Sequence, residues 1–448
     1  MSQKIYFFSI FLFLLLSIHS RGQGDGLITK DGNRMFPIGY YYLPKDDQKL
    51  REVKEAGFNI IRCSAKDDLD RAQSAGLMGW LPLSLHNGTT DEFKKKVDAL
   101  VNHPALALWE GPDEVVWWFT GTWDLYYKQK IHEKPETWWK QDKDAIDYAN
   151  ERSASYMPNI NSAISYIRSV DTLNRQIWIN EAAASDTKYI RQYLDNIDIT
   201  GCDKYPIMQL GESDPYEESH LYSNGKYVIE QQPTQKNGEV RKNVDDIKFY
   251  TRRFMEVGRG KPVYMVLQAF SWPELGGDYW SSLLPVYPSF NESRYMAYIA
   301  IATGAKGIYY WGANYTKSEE FIQSIYAVTS ELSALQPFLV SPEENHMNIR
   351  GIKTLPDEKS EFSGIVRRYG RDWLIVVINE TDDYPMSVVV ENLEHLNGMK
   401  FYELYGEDEF SVSNEEMVLR MKPREIKVLS TSKRWKTKRT MGRDYAGR

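Results

Sequence analysis

Eight short apolar runs with strand character recur along the chain, and they restrict its fold more than any other feature. They span residues 35–43, 58–64, 77–85, 105–109, 176–180, 197–203, 262–269 and 307–311. Amphipathic stretches of helical period lie between them, such as 48–56 and 68–75, and Gly57 and Gly76 stand where these two helices should end. Strand–helix alternation through eight units predicts a (β/α)8 barrel over residues 27–340. A doubly wound open sheet is the alternative, which eight units make less favoured.

The fourth apolar run leads into two adjacent carboxylates. The sequence from Ala105 reads ALALWEGPDE, so Gly111 and Pro112 interrupt the strand just before Asp113 and Glu114. Parallel barrels carry their chemistry at the C-terminal ends of the strands, and carboxyl groups placed there can donate or accept protons. We therefore expect Asp113 and Glu114 to be catalytic, with Glu114 as the proton donor.

Long connections follow three of the predicted strands, after Glu114, Tyr205 and Gln268. Insertions at this end of a barrel build a substrate cleft. The first insertion is rich in aromatic residues, which make up 13% of the whole chain. These rings either form a small core within the insertion or line the cleft, where aromatic planes stack on the faces of sugar rings. The rings that we predict to contact the substrate are Tyr40, Trp117, Trp118, Tyr205, Trp272 and Trp311.

Charge and cysteine content narrow the range of partners. The formal net charge of −7 argues against nucleic acid. Two cysteines are too few, and too poorly spaced, for a zinc site. The sequence gives no sign of a metal or an organic cofactor, so we expect none. Cys63 and Cys202 fall at predicted strand ends, either as a disulfide or as two buried thiols.

Residues 1–22 have the pattern of a secretory signal. Lys4 precedes an apolar segment over 5–18, and small residues such as Ser20 and Gly22 offer a cleavage site. The apolar segment is short for a membrane span. We predict a secreted or periplasmic protein without a membrane span after cleavage, with an uncleaved anchor as the alternative.

Short β runs with turn signals replace the alternation after about residue 340. They predict a small all-β sandwich over residues 345–431. Its role is either to pack against the barrel or to bind carbohydrate. The basic residues of 432–448 then form a solvated, mobile tail.

Several strings, in this order and spacing, resemble those of the clan A glycoside hydrolases and their secreted bacterial relatives. They are Phe36-Pro-Ile-Gly-Tyr40, the run 57–62, the run 103–109 that leads to Asp113 and Glu114, and the run 295–311. The resemblance covers about residues 30–430 and implies a glycosidase. Clan A enzymes place the acid/base Glu at the tip of strand four, the position of Glu114.

The resemblance departs from the clan pattern at strand seven, where the clan places its nucleophilic Glu. Gln268 stands there, and an amide can position a hydroxyl but cannot attack an anomeric carbon. We expect Gln268 to contact the substrate. Asp203 and Glu181, at the ends of strands six and five, are the best candidates for the second catalytic carboxylate.

These observations predict an enzyme that cleaves O-glycosidic bonds in a poly- or oligosaccharide by carboxylate general acid/base catalysis. One alternative is a substrate-assisted enzyme of the chitinase or N-acetylhexosaminidase type, which needs no protein nucleophile. Another is a non-catalytic barrel that only binds glycans. Sugar, linkage and oligomeric state are left open at this stage.

Overall fold

The computed structural model describes residues 24–134, 138–209, 240–276, 283–344, 347–352 and 362–437, and the backbone alone of 218–221 and 227–230. The predicted signal over 1–22 lies outside the described residues. None of the helices in the described segments combines the length and apolarity that a membrane span requires.

Eight parallel strands, numbered β1 to β8, close into a barrel. They are β1 Ile38–Tyr40, β2 Ile60–Arg62, β3 Met78–Pro82, β4 Leu106–Glu110, β5 Gln176–Ala182, β6 Ile199–Asp203, β7 Val263–Gln268 and β8 Gly307–Trp311. Consecutive strands pair with each other, and β8 pairs with β1, with Ile308 opposite Ile38. This last pairing closes the barrel and confirms the predicted fold.

Eight helices of eight or more residues, α1 to α8, occur in the described part of the chain. They are α1 Asp47–Glu55, α2 Lys66–Ser74, α3 Asp91–Leu100, α4 Lys143–Val170, α5 Thr187–Leu194, α6 Asp246–Gly258, α7 Phe290–Thr303 and α8 Glu319–Ala334. Ser289 and Glu292 form a capping box at the start of α7. Gly57 and Gly76, with φ of 102° and 75°, follow α1 and α2 as predicted.

Large aromatic side chains fill the lower part of the barrel interior. The ring centroids of Trp178 and Tyr309 are 4.7 Å apart, and those of Trp80 and Tyr309 are 5.1 Å apart. Gly39 makes room for this packing, since a Cβ at that position would lie 2.0 Å from the Tyr309 ring. The barrel is therefore a packed core, and a ligand must bind above it, at the C-terminal ends of the strands.

The two cysteines are free thiols, and both are buried. Cys202 Sγ lies 3.6 Å from Met265 Sδ. Cys63 and Cys202 are therefore two buried thiols and do not form the disulfide that was the other alternative.

Two antiparallel sheets follow the barrel. Their strands are β9 Asn348–Ile352, β10 Phe362–Tyr369, β11 Asp372–Asn379, β12 Met386–Glu391, β13 Lys400–Glu403, β14 Glu409–Ser411, β15 Met417–Met421 and β16 Ile426–Ser430. One sheet has the order β9-β12-β15 and the other the order β10-β11-β16-β13-β14. Side chains from both sheets share a buried apolar cluster, so the predicted sandwich is confirmed. The predicted end of the barrel at residue 340 and the predicted start of the sandwich at residue 345 stay predictions.

Charged side chains tie the sandwich to the barrel helices. Lys248 of α6 forms an ion pair with Glu380 at 2.6 Å. Arg294 of α7 pairs with Glu331 of α8 at 2.7 Å and donates a hydrogen bond to the Ile426 carbonyl of β16 at 3.1 Å. These contacts agree with a packing role for the sandwich.

The first part of the predicted tail is packed. The Trp435 ring lies 4.9 Å from that of Phe338, and its Nε1 donates to Asp372 Oδ2 at 2.9 Å. The chain is therefore anchored as far as Trp435, and residues 438–448 lie outside the described part.

Candidate active site

The acidic motif after β4 turns sharply over the mouth of the barrel. Glu114 has a positive φ of 53°, a left-handed conformation that is uncommon outside glycine. Its backbone N–H donates to the Asn180 carbonyl of β5 at 2.9 Å, which holds the turn in place. Strained backbone of this kind is concentrated at functional sites, where the surrounding structure over-determines it.

Glu114 and Asp203 form a carboxyl–carboxylate pair, although they are distant in sequence. The two side chains share a hydrogen bond, which requires one of them to carry a proton. Burial, reinforced by the charge of Asp203, raises the pKa of Glu114 well above its usual range. Burial and the charge of Asp113 raise the pKa of Asp203 to about 7. The pair therefore holds a proton in mildly acidic to neutral solution, and Glu114 is the member that retains it.

Burial raises the pKa of Asp113 overall, although two neighbouring groups favour its ionised form. Its Oδ1 accepts a hydrogen bond from Asn180 Nδ2 at 2.9 Å. Burial raises the pKa of Asp113, but this hydrogen bond and the positive charge of Arg62 oppose the increase. The site thus pairs a protonated acid, Glu114, with a neighbouring carboxylate that a cation and an amide stabilise. A division of roles between two carboxyl groups in different surroundings is what acid/base chemistry requires.

Glu110, which our sequence analysis did not select, lies beneath this pair. It is the last residue of β4, is 0% exposed, and accepts hydrogen bonds from Trp80 Nε1 at 3.0 Å and Tyr41 OH at 3.2 Å. Arg62 Nε lies 3.5 Å from its carboxylate. Burial and the charge of Asp113 raise the pKa of Glu110 to about 7. Continuing the alternation of β4 past Leu108 would have placed Glu110 on the inner face.

Glu181 lies on the outer face of β5, so the structure does not place it among the acidic groups of the mouth. Its carboxylate is 0% exposed and accepts hydrogen bonds from Ser185 Oγ at 2.8 Å, Tyr193 OH at 2.7 Å and the Val116 backbone N–H. Burial raises its pKa to about 8. These three donors join β5, α5 and the insertion after β4, which is a structural role rather than the predicted catalytic one. Its neighbour Asn180 takes the inward position.

Gln268 ends β7 with its amide fully engaged. Its Oε1 accepts from the Ile207 backbone N–H at 3.0 Å, and its Nε2 donates to the carbonyls of Ile207 at 2.8 Å and Phe270 at 3.1 Å. The side chain is 0% exposed. The predicted substrate contact is therefore not made in this geometry, and Gln268 instead anchors the segment after β6.

Tyr205, Trp272 and Trp311 come together on one side of the mouth, as predicted for the substrate rings. The rings of Tyr205 and Trp311 are stacked, with centroids 5.4 Å apart and an interplanar angle of 24°. Trp272 lies 6.1 Å from Tyr205. Tyr205 also forms a hydrogen bond with Asp203, so this aromatic wall adjoins the carboxyl pair. Such a wall can stack on a sugar ring.

Tyr41, and not the predicted Tyr40, lies at the mouth of the barrel. Tyr40 is 4% exposed and packs outside the barrel, with its ring 4.7 Å from that of Phe58. Tyr41 is the inward residue and donates to Glu110. The prediction for Tyr40 was wrong by one position, because neighbouring residues of a strand point to opposite faces.

Trp117 and Trp118 lie in a short helix of the insertion after β4. Trp118 is 39% exposed and packs edge to face against His86, 4.9 Å away in the loop after β3. The indole of Trp117 lies over Gly121, where an added Cβ would be 2.9 Å from the ring. Neither contact joins them to the carboxyl groups, so their role at the substrate stays a prediction.

The arrangement is suited to proton transfer. Within the described segments, no group of three His, Cys, Asp or Glu side chains has a geometry that could hold a metal ion. The residues at the mouth provide a carboxyl group with a raised pKa, a second carboxyl group that an amide contacts, a guanidinium and a wall of aromatic rings. Together these can bind a neutral, hydroxyl-rich ring and protonate an oxygen bound to it.

Comparison with known proteins supports the fold. No protein-family model matches the sequence, and the search of curated proteins found no match. A solved structure described as a glycoside hydrolase has 13% identity and a TM-score of 0.51, with 91% of this chain and 95% of that one covered. A β-galactosidase from Bacillus circulans sp. alkalophilus has 9% identity and a TM-score of 0.50, with 89% and 99% covered.

A β-galactosidase from the psychrophilic Marinomonas ef1 has 14% identity and a TM-score of 0.43. The alignment covers 67% of this chain and 60% of that protein. The other two likenesses show the fold alone: the chain folds like a solved glycoside hydrolase and a solved β-galactosidase.

Proposed function

We propose that the protein is a glycosidase in which Glu114 is the general acid. The observation that carries the proposal is the hydrogen-bonded pair of Glu114 and Asp203 at the mouth of the barrel. A glycosidase needs a carboxylic acid that stays protonated at its working pH, and burial next to a second carboxyl group supplies one. The clan A fold and the position of Glu114 after β4 support the same role.

The mouth residues divide the work of hydrolysis. Glu114 donates its proton to the glycosidic oxygen as the bond between that oxygen and the anomeric carbon breaks. Asp113, which accepts a hydrogen bond from Asn180 and feels the positive charge of Arg62, provides negative charge against the positive charge that develops on the sugar ring. A water molecule adds its hydroxide to the anomeric carbon, and its remaining proton returns to the carboxyl pair.

A substrate-assisted mechanism is the second candidate, and the state of Gln268 favours it. The position that carries the nucleophile in clan A holds a buried amide whose donor and acceptor are both used on backbone groups. In this mechanism the 2-acetamido oxygen of the substrate attacks the anomeric carbon, while Asp113 accepts a hydrogen bond from the acetamido N–H. The substrate would then be a 2-acetamido sugar, whereas the first mechanism requires no 2-acetamido group.

The test is a screen of the secreted protein on aryl glycosides of different sugars, with and without 2-acetamido groups, and on polysaccharides. Glu114→Gln and Glu181→Gln are compared with the wild type. Both variants replace a glutamate by glutamine. Glu114, after β4, faces the mouth, whereas Glu181, in β5, faces outwards and serves as the control. Hydrolysis by the wild type and by Glu181→Gln, lost in Glu114→Gln, would support the proposal.

The screen also separates the alternatives. Activity confined to 2-acetamido sugars would favour the substrate-assisted mechanism. Glycan binding without hydrolysis by any form would contradict the glycosidase and leave the binding barrel. Equal hydrolysis by the wild type and Glu114→Gln would remove Glu114 from the mechanism.

A further inference from the structure

Asn180 touches all three acidic residues of the mouth. Its side-chain Nδ2 donates to Asp113 Oδ1 at 2.9 Å and to Asp203 Oδ1 at 3.3 Å. Its backbone carbonyl accepts from the Glu114 N–H at 2.9 Å. The side chain is 2% exposed and extends from β5 into the barrel. The amide nitrogen must be the end that faces the two carboxylates, because an oxygen there would be repelled by both.

The hydrogen bonds of the Asn180 side-chain amide are unusual for a buried asparagine. Asn59, also buried in the barrel wall, uses both ends on the backbone: Oδ1 accepts from the Ile38 N–H and Nδ2 donates to the Phe36 carbonyl, each at 2.8 Å. The Asn180 Oδ1 has no hydrogen-bond partner among the described residues. The side-chain N–H groups of Asn180 therefore donate only to acidic groups. A residue needed only for packing would not require such partners.

We propose that Asn180 is a positioning residue, which fixes the carboxylates of Asp113 and Asp203 beside the proton donor Glu114. This inference rests on the proposed glycosidase function and deepens it. Asp113 and Asp203 both accept from the same amide nitrogen. Without that amide their side chains would turn away from each other, because two nearby negative charges repel. The proton donor would lose its partner, and the carboxylate next to the sugar would lose its orientation.

The pH dependence gives this role a signature. A hydrogen bond to an ionised carboxylate favours that form, so removing the amide should make Asp113 harder to ionise. The acidic limb of the kcat profile should therefore move to higher pH, by about one unit for the loss of one charge-assisted hydrogen bond. The other charged or titratable groups that face the acidic residues are Arg62 of β2, Glu110 of β4, Tyr205 after β6 and Tyr41 after β1, and the charge of the outward-facing Glu181 also acts on Glu114.

The experiment compares Asn180→Leu, which preserves the shape of the side chain, and Asn180→Ala with the matched control Asn59→Ala. We expect kcat of both Asn180 variants to fall about 10²-fold, the usual cost of misplaced catalytic groups, with a smaller change in KM. We expect Asn59→Ala to lose stability while it keeps the kcat and the pH profile of the wild type. A merely structural Asn180 would behave like Asn59.

A second measurement does not depend on activity. Carboxyl carbon NMR of labelled aspartate follows the ionisation of Asp113 in the wild type and in Asn180→Leu, and we expect its pKa to rise in the variant. An unchanged Asp113 pKa, or a kcat within twofold of the wild type, would overturn the inference. A wild type that hydrolyses no glycoside, with the Asp113 shift present, would instead overturn the proposed glycosidase.

Discussion

The Gln268 side chain and the Ile207 backbone form a two-way hydrogen-bonded contact, with Oε1 accepting at 3.0 Å and Nε2 donating at 2.8 Å. Only an amide can do both, because a carboxylate has no donor for the Ile207 carbonyl. The glutamine at the clan's nucleophile position is thus part of the architecture that supports the segment after β6. That segment begins with Lys204 and Tyr205, and the Tyr205 side chain forms a hydrogen bond with Asp203.

Gln268→Glu should therefore weaken the protein without adding activity. The new carboxylate would face the carbonyls of Ile207 and Phe270 with no proton to donate, and we expect a loss of about 3 kcal/mol in the free energy of unfolding at neutral pH. Urea unfolding and the glycoside screen measure the two effects. A stable Gln268→Glu variant with higher activity would show instead that this position had lost a nucleophile.

Glu114→Gln should lower activity according to the leaving group. On natural linkages we expect a fall of about 10²–10⁴-fold, the usual contribution of general acid catalysis. Aryl glycosides with acidic phenols need little protonation, so bond cleavage in them should suffer less. Steady-state kinetics on a series of phenols measures this, and a loss independent of the phenol would count against proton donation.

The activity should fall as the pH rises above the raised pKa of Glu114, the member of the pair that retains the proton. Burial and the charge of Asp113 raise the pKa of Asp203 to about 7, and the pKa of its partner Glu114 is also raised. Above these values the pair loses its proton, and with it the acid. At low pH, protonation of Asp113 should also reduce activity, so we expect a bell-shaped profile. Activity that stays constant up to the alkaline pH at which the protein unfolds would contradict a proton donor in this pair.

The stability should also fall with rising pH, for a related reason. Burial raises the pKa of Glu110 to about 7 and that of Glu181 to about 8, so the folded protein holds protons that the unfolded chain releases at about pH 4.3. Stability is therefore lost as the pH rises from near that value through 7 to 8. Thermal unfolding across this range measures the slope, which should be smaller in Glu181→Gln.

Trp311→Ala should weaken substrate binding. It removes the ring that stacks on Tyr205, and we expect KM to rise about tenfold, near the upper end of what one aromatic pair contributes. Trp435→Ala is the control, because that ring packs on Phe338 beside the sandwich. Ligand-induced quenching of tryptophan fluorescence should be smaller in Trp311→Ala alone. Equal KM values for the two variants would place Trp311 outside the substrate site.

Secretion should remove about the first 20–22 residues. Mass spectrometry of the N-terminus of protein recovered from the periplasm or the medium tests this. A mature protein in the cytosol that begins at Met1 or Ser2 would contradict the prediction.

The architecture was readable from the sequence because it depends on patterns that local chemistry enforces. Eight apolar runs separated by amphipathic stretches allow few folds, and Gly57 and Gly76 end helices wherever those helices pack. The position of Asp113 and Glu114 at the tip of β4 followed from the same reasoning. So did the neighbourhood of Tyr205, Trp272 and Trp311, since the C-terminal ends of parallel strands meet on one face of a barrel.

What only the tertiary structure decided is which member of each neighbouring pair faces the interior. In β5 it is Asn180 and not Glu181, and after β1 it is Tyr41 and not Tyr40. Strands buried on both faces are apolar on both, so their sequence does not mark the inner face. A shift of one residue reverses every side chain, and the closed pairing of eight strands sets that register. The sequence by itself determined the barrel and the place of Asp113 and Glu114 at the tip of β4, whereas packing around the closed barrel selected the residues that surround them.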